Sequence, residues 1–158
     1  MTTQQTLLQY AFKLLGRQRY SIAQIRKKLE GKKLGTPEDI ESVIIRLKEL
    51  QYLDDATFAQ LYLEDAVRRK PQGLKMLRNG LMKRGVPAYI IAKAFQQKPL
   101  DELQIAQIAM QKKQRTFQSI APEKRLPALK RKEKLYRFLL SRGFSQGTVM
   151  KVLNGGSQ

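Results

Sequence analysis

Apolar residues recur at intervals of three and four along most of the chain, the spacing that gathers them on one face of an α-helix. In the first third of the sequence these stripes comprise three sets: Leu8, Ala11, Phe12 and Leu15; Ile22, Ile25 and Leu29; and Ile40, Val43, Ile44, Leu47 and Leu50. Later stripes open at Phe58, Leu74, Ile90, Leu103, Leu135 and Val149. The β-branched run Val43-Ile44-Ile45 lies inside a stripe of helical period, so helix is favoured there as well. The pattern predicts an all-α fold of about nine helices.

Several helix starts are marked by capping residues. Ser21 and Gln24 have the spacing of a capping box, in which each side chain accepts a hydrogen bond from the other residue's backbone N–H. Thr36 precedes Pro37, a proline at the first helical position, where the missing N–H would have had no intrahelical partner. Asp54 stands where its carboxylate can cap the following helix. We therefore expect helices to begin just after Ser21, Thr36 and Asp54.

The sequence contains an internal repeat. Two segments align as follows: Leu77, Leu81, Arg84, Gly85, Val86, Ile91, Ala94 and Phe95 correspond to Leu135, Leu139, Arg142, Gly143, Phe144, Val149, Val152 and Leu153. In both segments a helix ends at an Arg-Gly pair, where glycine is suited to the left-handed cap conformation, and a new helix follows. A more diverged first copy aligns on Leu29, Lys32 and Leu34.

The repeat also predicts the organisation of the chain. A unit of three short helices buries its apolar faces only by packing on neighbouring units. We therefore expect three tandem three-helix repeats in an elongated, curved helical array. Their predicted boundaries are residues 1–52, 53–98 and 99–158.

Composition and charge limit the functional classes. Lys and Arg number 31 against 13 Asp and Glu, which gives a formal net charge of +18. Such an excess repels itself in a compact chain and favours an anionic partner, above all nucleic acid or a protein that carries it. The sequence has no Cys and no His, which excludes disulfides, thiolate nucleophiles, imidazole bases and the commonest zinc ligands. We expect neither a cofactor nor a metal site.

Location is predicted from two further features of the sequence. No apolar run approaches the roughly 18 residues that a membrane-spanning helix needs. The N-terminal residues lack the basic start and apolar core of a secretory signal. The sequence therefore predicts a cytoplasmic protein without membrane contact.

The basic residues form clusters that are candidates for contact with DNA or with a partner on DNA. The first lies on both sides of the Pro71-Gln72-Gly73 break: Arg68, Arg69, Lys70, Lys75 and Arg78. Lys83 and Arg84, which follow it in the sequence, are further candidates. The second is the densest basic stretch: Lys124, Arg125, Lys130, Arg131, Lys132, Lys134, Arg137 and Arg142. Part of the first cluster compensates a helix dipole, and an ordinary solvated helix face has a similar pattern. Cations of this kind contact phosphates without reading a base sequence.

Two acidic pairs are assigned structural roles rather than catalytic ones. The Glu64-Asp65 pair lies four residues before Arg68-Arg69, the spacing of ordinary ion pairs along a helix. Asp54 is placed to cap a helix and Asp55 to lie in its first turn, where negative charge is favourable. A phosphate-binding glycine-lysine loop is absent from the sequence. We therefore expect a binding protein that is not an enzyme.

Taken together, the motifs resemble the signature of the RecX family. The resemblance rests on the run Tyr52-Leu53-Asp54-Asp55-Ala56-Thr57-Phe58-Ala59 and on Tyr62, Lys70, Gly73, Leu77, Leu81 and Lys83-Arg84-Gly85-Val86. It extends to Arg19-Tyr20-Ser21 and to residues 25–29, so it covers nearly the whole chain. Structural roles are expected at Asp54, Asp55, Phe58, Ala59, Tyr62, Gly73, Leu77, Leu81 and Gly85. Phe58 and Tyr62 are assigned to packing, and truncating Phe58 should cost about 3 to 5 kcal/mol if its ring is buried.

The resemblance implies a negative regulator of RecA recombinase. Members of such a family bind RecA filaments on single- or double-stranded DNA, in the filament groove, and restrain homologous recombination and DNA repair. The expected effects are inhibition of ATP hydrolysis, of strand exchange and of the co-protease activity that triggers the SOS response. The chain departs from the family in its stronger positive charge and in its diverged first repeat, which increases the expected share of direct DNA binding.

Two alternatives stay open at the level of sequence. One is a RecA-independent DNA- or RNA-binding protein, which the net charge and the helix pair of residues 74–95 would suit. The other is an enzyme with an unrecognised site of Asp, Glu, Lys or Tyr. A titration with and without RecA separates the regulator from the simple nucleic-acid binder, because phosphate binding alone weakens steeply with salt and needs no RecA.

Overall fold

The computed structural model describes residues 1–155 and is all-helical over that range. Its nine α-helices are α1 (Thr3–Leu15), α2 (Ile22–Gly31), α3 (Pro37–Glu49), α4 (Asp55–Arg69), α5 (Leu74–Lys83), α6 (Ala88–Gln97), α7 (Glu102–Gln118), α8 (Ala128–Ser141) and α9 (Gln146–Gly155). A short 3₁₀ turn, Pro122–Lys124, lies between α7 and α8. The all-α fold and the number of helices predicted from periodicity are thus confirmed for the described residues.

The predicted helix starts are present. Ser21 caps α2 in a capping box: its hydroxyl accepts a hydrogen bond from the backbone N–H of Gln24, and the Gln24 side chain accepts one from the backbone N–H of Ser21. Thr36 caps α3 in the same way with Asp39, and Pro37 occupies the first helical position. These starts follow from side chains close in sequence, which is why periodicity and capping residues were sufficient to find them.

The chain divides into two compact units. The first comprises Met1–Tyr62 with Leu81–Gln96, and the second comprises Leu63–Gly80 with Gln97–Gln158. The division falls within α4, within α5 and before the last residue of α6, so these helices contribute residues to both units. The three repeat boundaries given above stay a prediction.

The core of the first unit is formed mainly by α1, α2 and α3, which pack on one another. The stripe predicted for α1 is partly wrong: Leu7, Ala11 and Leu14 are its buried residues, whereas the predicted Leu8, Phe12 and Leu15 are only partly buried. Both sets have helical spacing, so the packing against α2 and α3 decides which faces inward. The α3 stripe is buried as predicted except at its last residue, Leu50, which is exposed.

The core of the second unit is formed by α7, α8 and α9. Ile105, Ala106 and Ala109 of α7 are buried, together with Leu135 and Leu139 of α8. The apolar side of α9 completes the cluster with Val149, Val152 and Leu153. Both units therefore have hydrophobic cores of three mutually packed helices.

The left-handed turns support the repeat alignment. Gly85 and Gly143 have φ values of 76° and 80°, as expected for the glycine of each Arg-Gly pair. Lys33 holds the aligned position in the first copy and also has a positive φ, 54°. A side chain in this conformation costs about 1 to 2 kcal/mol relative to glycine. The diverged first copy therefore keeps the turn of the other two without the residue that favours it.

Within residues 1–155, no helix is both long enough and apolar enough to cross a membrane.

Candidate functional site

The signature residues of the first unit converge on the N-terminus of α2. The side chain of Asp55, at the start of α4, accepts a hydrogen bond of 2.9 Å from the backbone N–H of Ile22. The hydroxyl of Ser21, which is fully buried, donates to the carbonyl oxygen of Arg84. We call this set, Ser21, Ile22, Asp55 and Arg84, the first junction. It joins α2 to the start of α4 and to the end of α5.

A corresponding set in the second unit surrounds the N-terminus of α5. The backbone N–H of Gly73 donates to the carbonyl oxygen of Arg142 at 2.8 Å. The carboxylate of Glu102, at the start of α7, accepts from the backbone N–H of Leu74 at 3.2 Å and from the hydroxyl of Thr148 at 2.8 Å. We call Gly73, Leu74, Glu102 and Arg142 the second junction.

The two junctions have the same plan. In each, an acidic residue that opens one helix caps the first residue of an earlier helix, because free N–H groups at a helix start favour a carboxylate. In each, the residue before that earlier helix donates a hydrogen bond to the carbonyl oxygen of the arginine in an Arg-Gly turn: Ser21 through its hydroxyl and Gly73 through its backbone N–H. The internal repeat of the sequence is therefore also a repeat of contacts.

The sequence carried a signal for Glu102 that was missed. Leu53-Asp54-Asp55 and Leu100-Asp101-Glu102 have the same pattern of one apolar and two acidic residues. Asp54 and Asp101 both cap their own helices, with bonds of 2.9 Å and 3.0 Å to backbone N–H groups two residues on. The next acidic residue of each pattern, Asp55 or Glu102, makes the long-range cap. Aligning these two triplets would have identified both residues.

Asp55 lies in a partly desolvated position. Only 5% of its surface is exposed, and this burial raises the pKa of its carboxyl, although the hydrogen bond from Ile22 opposes the shift. The first-turn position predicted for Asp55 is correct, but the side chain serves another helix as well as its own.

Glycine is required at Gly73 by close packing. A Cβ atom there would lie 1.9 Å from the carbonyl oxygen of Gly143 and 2.7 Å from the backbone nitrogen of Phe144. Backbone atoms cannot move aside as the end of a flexible side chain can. Among the other signature residues, Ala59, Leu77 and Leu81 are fully buried: each is a core residue.

The aromatic signature residues lie near the surface rather than in the core. Phe58 and Tyr62 are both partly buried, and their rings stack with centroids 6.4 Å apart. Phe58 lines a cavity of about 1110 Å³ in the first unit. The guanidinium of Arg84 lies 4.8 Å from the centre of the Tyr62 ring, a cation–π contact. The cost of about 3 to 5 kcal/mol for truncating Phe58 applies only to a fully buried ring, and this ring is only partly buried.

The acidic pair Glu64-Asp65 makes different partners from those predicted. Asp65 pairs with Arg68 at 3.0 Å, three residues on rather than four, and Glu64 pairs with Lys98 at 3.3 Å. The i to i+4 pairing is therefore wrong, because a cation from beyond the helix competes for Glu64. The structural role of these carboxylates agrees with the sequence interpretation.

The predicted basic residues occupy several surfaces. In the second unit most are exposed: Arg68, Arg69, Lys70, Lys75, Arg78, Lys130, Lys132, Lys134 and Arg137. Arg131 is partly buried and, with Lys132, lines a cavity of about 370 Å³ beside α7 and α9. Arg137 pairs with Glu133 at 3.8 Å. No group of three or more potential metal-ligating side chains occurs within residues 1–155.

In the first unit, the structure brings Lys83 together with cations that the sequence interpretation did not select. A cleft of about 690 Å³ is lined by four lysines and two tyrosines: Lys27, Lys28, Lys32, Lys83, Tyr10 and Tyr20. Arg84, the neighbour of Lys83 in sequence, lies at Tyr62 instead. Proximity in sequence therefore did not predict which basic residues share a surface.

These features define an all-helical class of protein built from repeated three-helix units with recurring junctions. Residues 54–94 match the family model described as RecX, second three-helix domain, and residues 100–153 match that described as RecX, third three-helix domain. The chain belongs to the RecX family.

Similar proteins cover most of the chain. Regulatory protein RecX of Chlorobaculum tepidum is 32% identical over 146 residues, which are 92% of this chain and 85% of the relative. Regulatory protein RecX of Yersinia enterocolitica is 32% identical over 168 residues, covering 94% and 96% of the two chains. The crystal structure of RecX from Lactobacillus salivarius superposes with a TM-score of 0.72 at 17% identity, covering 97% of this chain and 96% of that one. The two sequence relatives are named regulatory proteins, and the fold is that of the solved RecX structure.

Proposed function

We propose that this chain is a negative regulator of RecA recombinase that binds RecA–DNA filaments. Membership of the RecX family carries the proposal. On this proposal the protein occupies the filament groove and thereby inhibits ATP hydrolysis, strand exchange and the co-protease step of the SOS response. It acts in the cytoplasm, by occupancy rather than by catalysis.

The repeated junction supports binding to a periodic target. The first and second junctions use the same kind of acidic cap and the same bond to an Arg-Gly turn. Repeats with equivalent contacts are suited to equivalent sites on successive subunits of a filament. We propose that the repeats have the boundaries predicted from the sequence, residues 1–52, 53–98 and 99–158.

The charge supports a target that includes DNA. The formal net charge is +18, and the exposed cations of α8 and of the α4–α5 region provide candidate contacts to phosphates or to acidic protein surfaces. We propose that the interface includes Arg68, Arg69, Lys70, Lys75, Arg78, Lys83, Arg84, Lys130, Arg131, Lys132, Lys134 and Arg137. Some of these charges are already compensated within the protein, notably Arg68 by Asp65.

The primary test adds the purified protein to RecA assembled on single-stranded DNA. ATP hydrolysis and strand exchange are followed as the protein is titrated, and its binding to the filament is measured by co-sedimentation. We expect both activities to fall as the filament becomes occupied. Intact filaments that neither bind the protein nor lose activity would refute the proposal.

A variant with Lys130, Lys132 and Lys134 replaced by alanine tests the contribution of α8. These lysines are exposed, so the substitutions should leave the fold intact. The concentration needed for half-maximal inhibition should rise by about 3- to 150-fold, since each of the three exposed ion pairs would contribute about 0.2 to 1 kcal/mol. Unchanged inhibition would remove α8 from the interface.

The matched control removes the same number of charges elsewhere. Lys13, Lys48 and Lys93 are exposed residues of the first unit that belong to none of the proposed interface clusters. Replacing these three by alanine should change inhibition much less than the α8 variant does. An equal loss in both variants would indicate a general effect of net charge.

The alternative function is binding of DNA or RNA without RecA. It is distinguished from filament binding by measuring affinity with and without RecA at several salt concentrations. Binding that depends only on phosphates weakens steeply with added salt and is the same without RecA. Binding to the filament should instead be strengthened when RecA is present. Equal affinity for bare DNA and for the RecA filament would favour the alternative.

A further inference from the structure

The lysine–tyrosine cleft of the first unit brings together residues that are distant in sequence. Lys27 and Lys28 lie near the end of α2, and Lys32 follows that helix directly. Lys83 is the last residue of α5. The ends of two helices thus place four cations around one cleft with a volume of about 690 Å³. Because like charges repel, this arrangement favours an anion between them.

The four lysines differ from several other cations of the protein in lacking acidic partners. Arg26, Arg46 and Lys98 each pair with a glutamate at 3.0 to 3.3 Å. Within residues 1–155, none of the cleft lysines has a carboxylate oxygen within ion-pair distance of its amino group. Their charges are therefore available to a ligand without first breaking an ion pair.

Compensation of helix dipoles explains only part of this cluster. A cation near a helix C-terminus is stabilised by the partial negative charge there, and Lys28 and Lys83 both lie in last turns. Lys27 lies outside the last turn of α2, and two aromatic side chains lie among the four lysines, neither of which the dipole effect explains.

The tyrosines make the cleft suitable for bases as well as phosphates. Tyr10 and Tyr20 are each partly buried, so their positions are supported by the core. The amino group of Lys32 lies 4.3 Å from the centre of the Tyr10 ring. Surfaces that combine cations with aromatic rings bind single-stranded nucleic acids, because the cations contact the phosphates and the rings stack on unpaired bases. In a duplex the bases are already stacked inside and cannot reach such rings.

We propose that this cleft binds single-stranded DNA directly, through Lys27, Lys28, Lys32 and Lys83 to the phosphates and through Tyr10 and Tyr20 to the bases. The proposal rests on the proposed function in one respect, since that function brings the protein to DNA strands. It adds a DNA contact in the first unit. Of the residues in this contact, only Lys83 belongs to the interface predicted from the sequence.

The first test replaces Lys27, Lys28 and Lys83 by alanine in the full chain. Lys32 is kept because its amino group contacts the Tyr10 ring, so that the test of the phosphate contacts leaves the ring's surroundings unchanged. Binding to a fluorescently labelled oligo-dT is measured by anisotropy at several salt concentrations, without RecA. Each phosphate contact to a single strand contributes about 0.7 to the slope of log K against log salt, so the slope should decrease by about 2.

The control variant has Lys13, Lys48 and Lys93 replaced by alanine, which removes the same charge from the same unit. Its affinity and salt slope for oligo-dT should remain closer to those of the unmodified protein. If the cleft variant and the control variant bind equally well, or weaken equally, the cleft is not the site.

The second test addresses the bases. Tyr10→Leu keeps an apolar side chain but removes the stacking surface, and Tyr10→Phe keeps the ring. Stacking contributes about 1 to 3 kcal/mol per base, so the leucine variant should bind oligo-dT about 5- to 150-fold more weakly while the phenylalanine variant stays near normal. Circular dichroism checks that both variants fold. Equal affinities in two folded variants would exclude stacking on Tyr10.

Strand specificity and the partner are tested separately. Unmodified protein should bind the single strand more tightly than a duplex of the same length, and a preference for the duplex would overturn the proposal. Failure to bind oligo-dT, with inhibition of RecA filaments intact, would refute the cleft alone. Binding to oligo-dT without any effect on RecA filaments would refute the proposed function and leave the cleft supported.

Discussion

The substitution Gly73→Ala tests the second junction with the smallest possible change. A methyl group at this position would lie 1.9 Å from the carbonyl oxygen of Gly143 and 2.3 Å from its carbonyl carbon. Contacts this short force the two backbone segments apart. The movement also breaks the 2.8 Å hydrogen bond from the Gly73 N–H to the Arg142 carbonyl. One added carbon therefore removes a direct link between the start of α5 and the end of α8.

The magnitude follows from these two effects. Overpacking of a well-packed site costs about 1 to 3 kcal/mol. A lost intramolecular hydrogen bond adds about 0.5 to 1.5 kcal/mol. We expect Gly73→Ala to lower the free energy of unfolding by about 2 to 4 kcal/mol, a large share of the stability of an ordinary domain.

The assay is urea unfolding followed by far-ultraviolet circular dichroism, which suits an all-helical protein. The matched control is Gly147→Ala in α9, where a Cβ would meet nothing within 4 Å. That variant should be as stable as the unmodified protein or up to about 1 kcal/mol more stable, because alanine favours helix. If the Gly73 variant instead remains within about 0.5 kcal/mol of the unmodified protein, the close approach described here is wrong.

Three further predictions concern Glu102, Asp55 and Phe58, with Glu123 and Asp39 as the positions for comparison. Glu102→Ala removes the carboxylate that accepts a hydrogen bond from the Leu74 N–H at the start of α5, and it should destabilise the protein by about 1 to 3 kcal/mol in urea unfolding. As a control, Glu123→Ala on the exposed 3₁₀ turn should change stability by less than about 0.5 kcal/mol. Burial raises the pKa of the Asp55 carboxyl above 3.8, so folding favours its protonated form. The stability that this carboxyl contributes is therefore present at acid pH and is lost as pH rises through the raised pKa. The stability of Asp55→Asn relative to the unmodified protein should accordingly increase from acid to neutral pH. Asp39→Asn should show the opposite trend in the same measurement. Hydrogen bonds from Thr36 and Gln4 lower the pKa of Asp39, so the stability that its carboxylate contributes is lost only as pH falls through that lowered pKa. Identical trends for the two variants would contradict both assignments. Phe58→Ala should cost about 1 to 2 kcal/mol because the ring is only partly buried, and a loss near 5 kcal/mol would contradict that position.

The family signature has a physical basis in the two junctions. Asp55, Gly73 and Gly85 are not close in sequence, yet each lies where a helix end meets another segment. A Cβ at Gly85 would lie 2.4 Å from the Cβ of Ala23, and its φ of 76° also favours glycine. A sequence motif can therefore mark residues that join the ends of helices to segments distant in sequence.

The candidate binding surfaces were less predictable than the fold. Clusters along the sequence led to α8 and to the α4–α5 region, because neighbouring residues on one helix are easily seen together. The cleft was missed because its cations come from the ends of two helices, with Lys83 more than fifty positions after Lys27 and Lys28. Of the four lysines in the cleft, only Lys83 belongs to the interface predicted from the sequence, because its basic neighbour Arg84 is adjacent in sequence.

The sequence by itself determined the helices, their starts at Ser21 and Thr36, and the left-handed glycine at Gly85, because periodicity, capping and backbone freedom depend on residues a few positions apart. It also excluded histidine and cysteine chemistry outright. The tertiary structure alone decided which face of α1 is buried, where the carboxylates of Asp55 and Glu102 bond, and which lysines share a cleft. Those outcomes depend on contacts between segments tens of residues apart, where several arrangements satisfy the same local pattern and packing selects one of them.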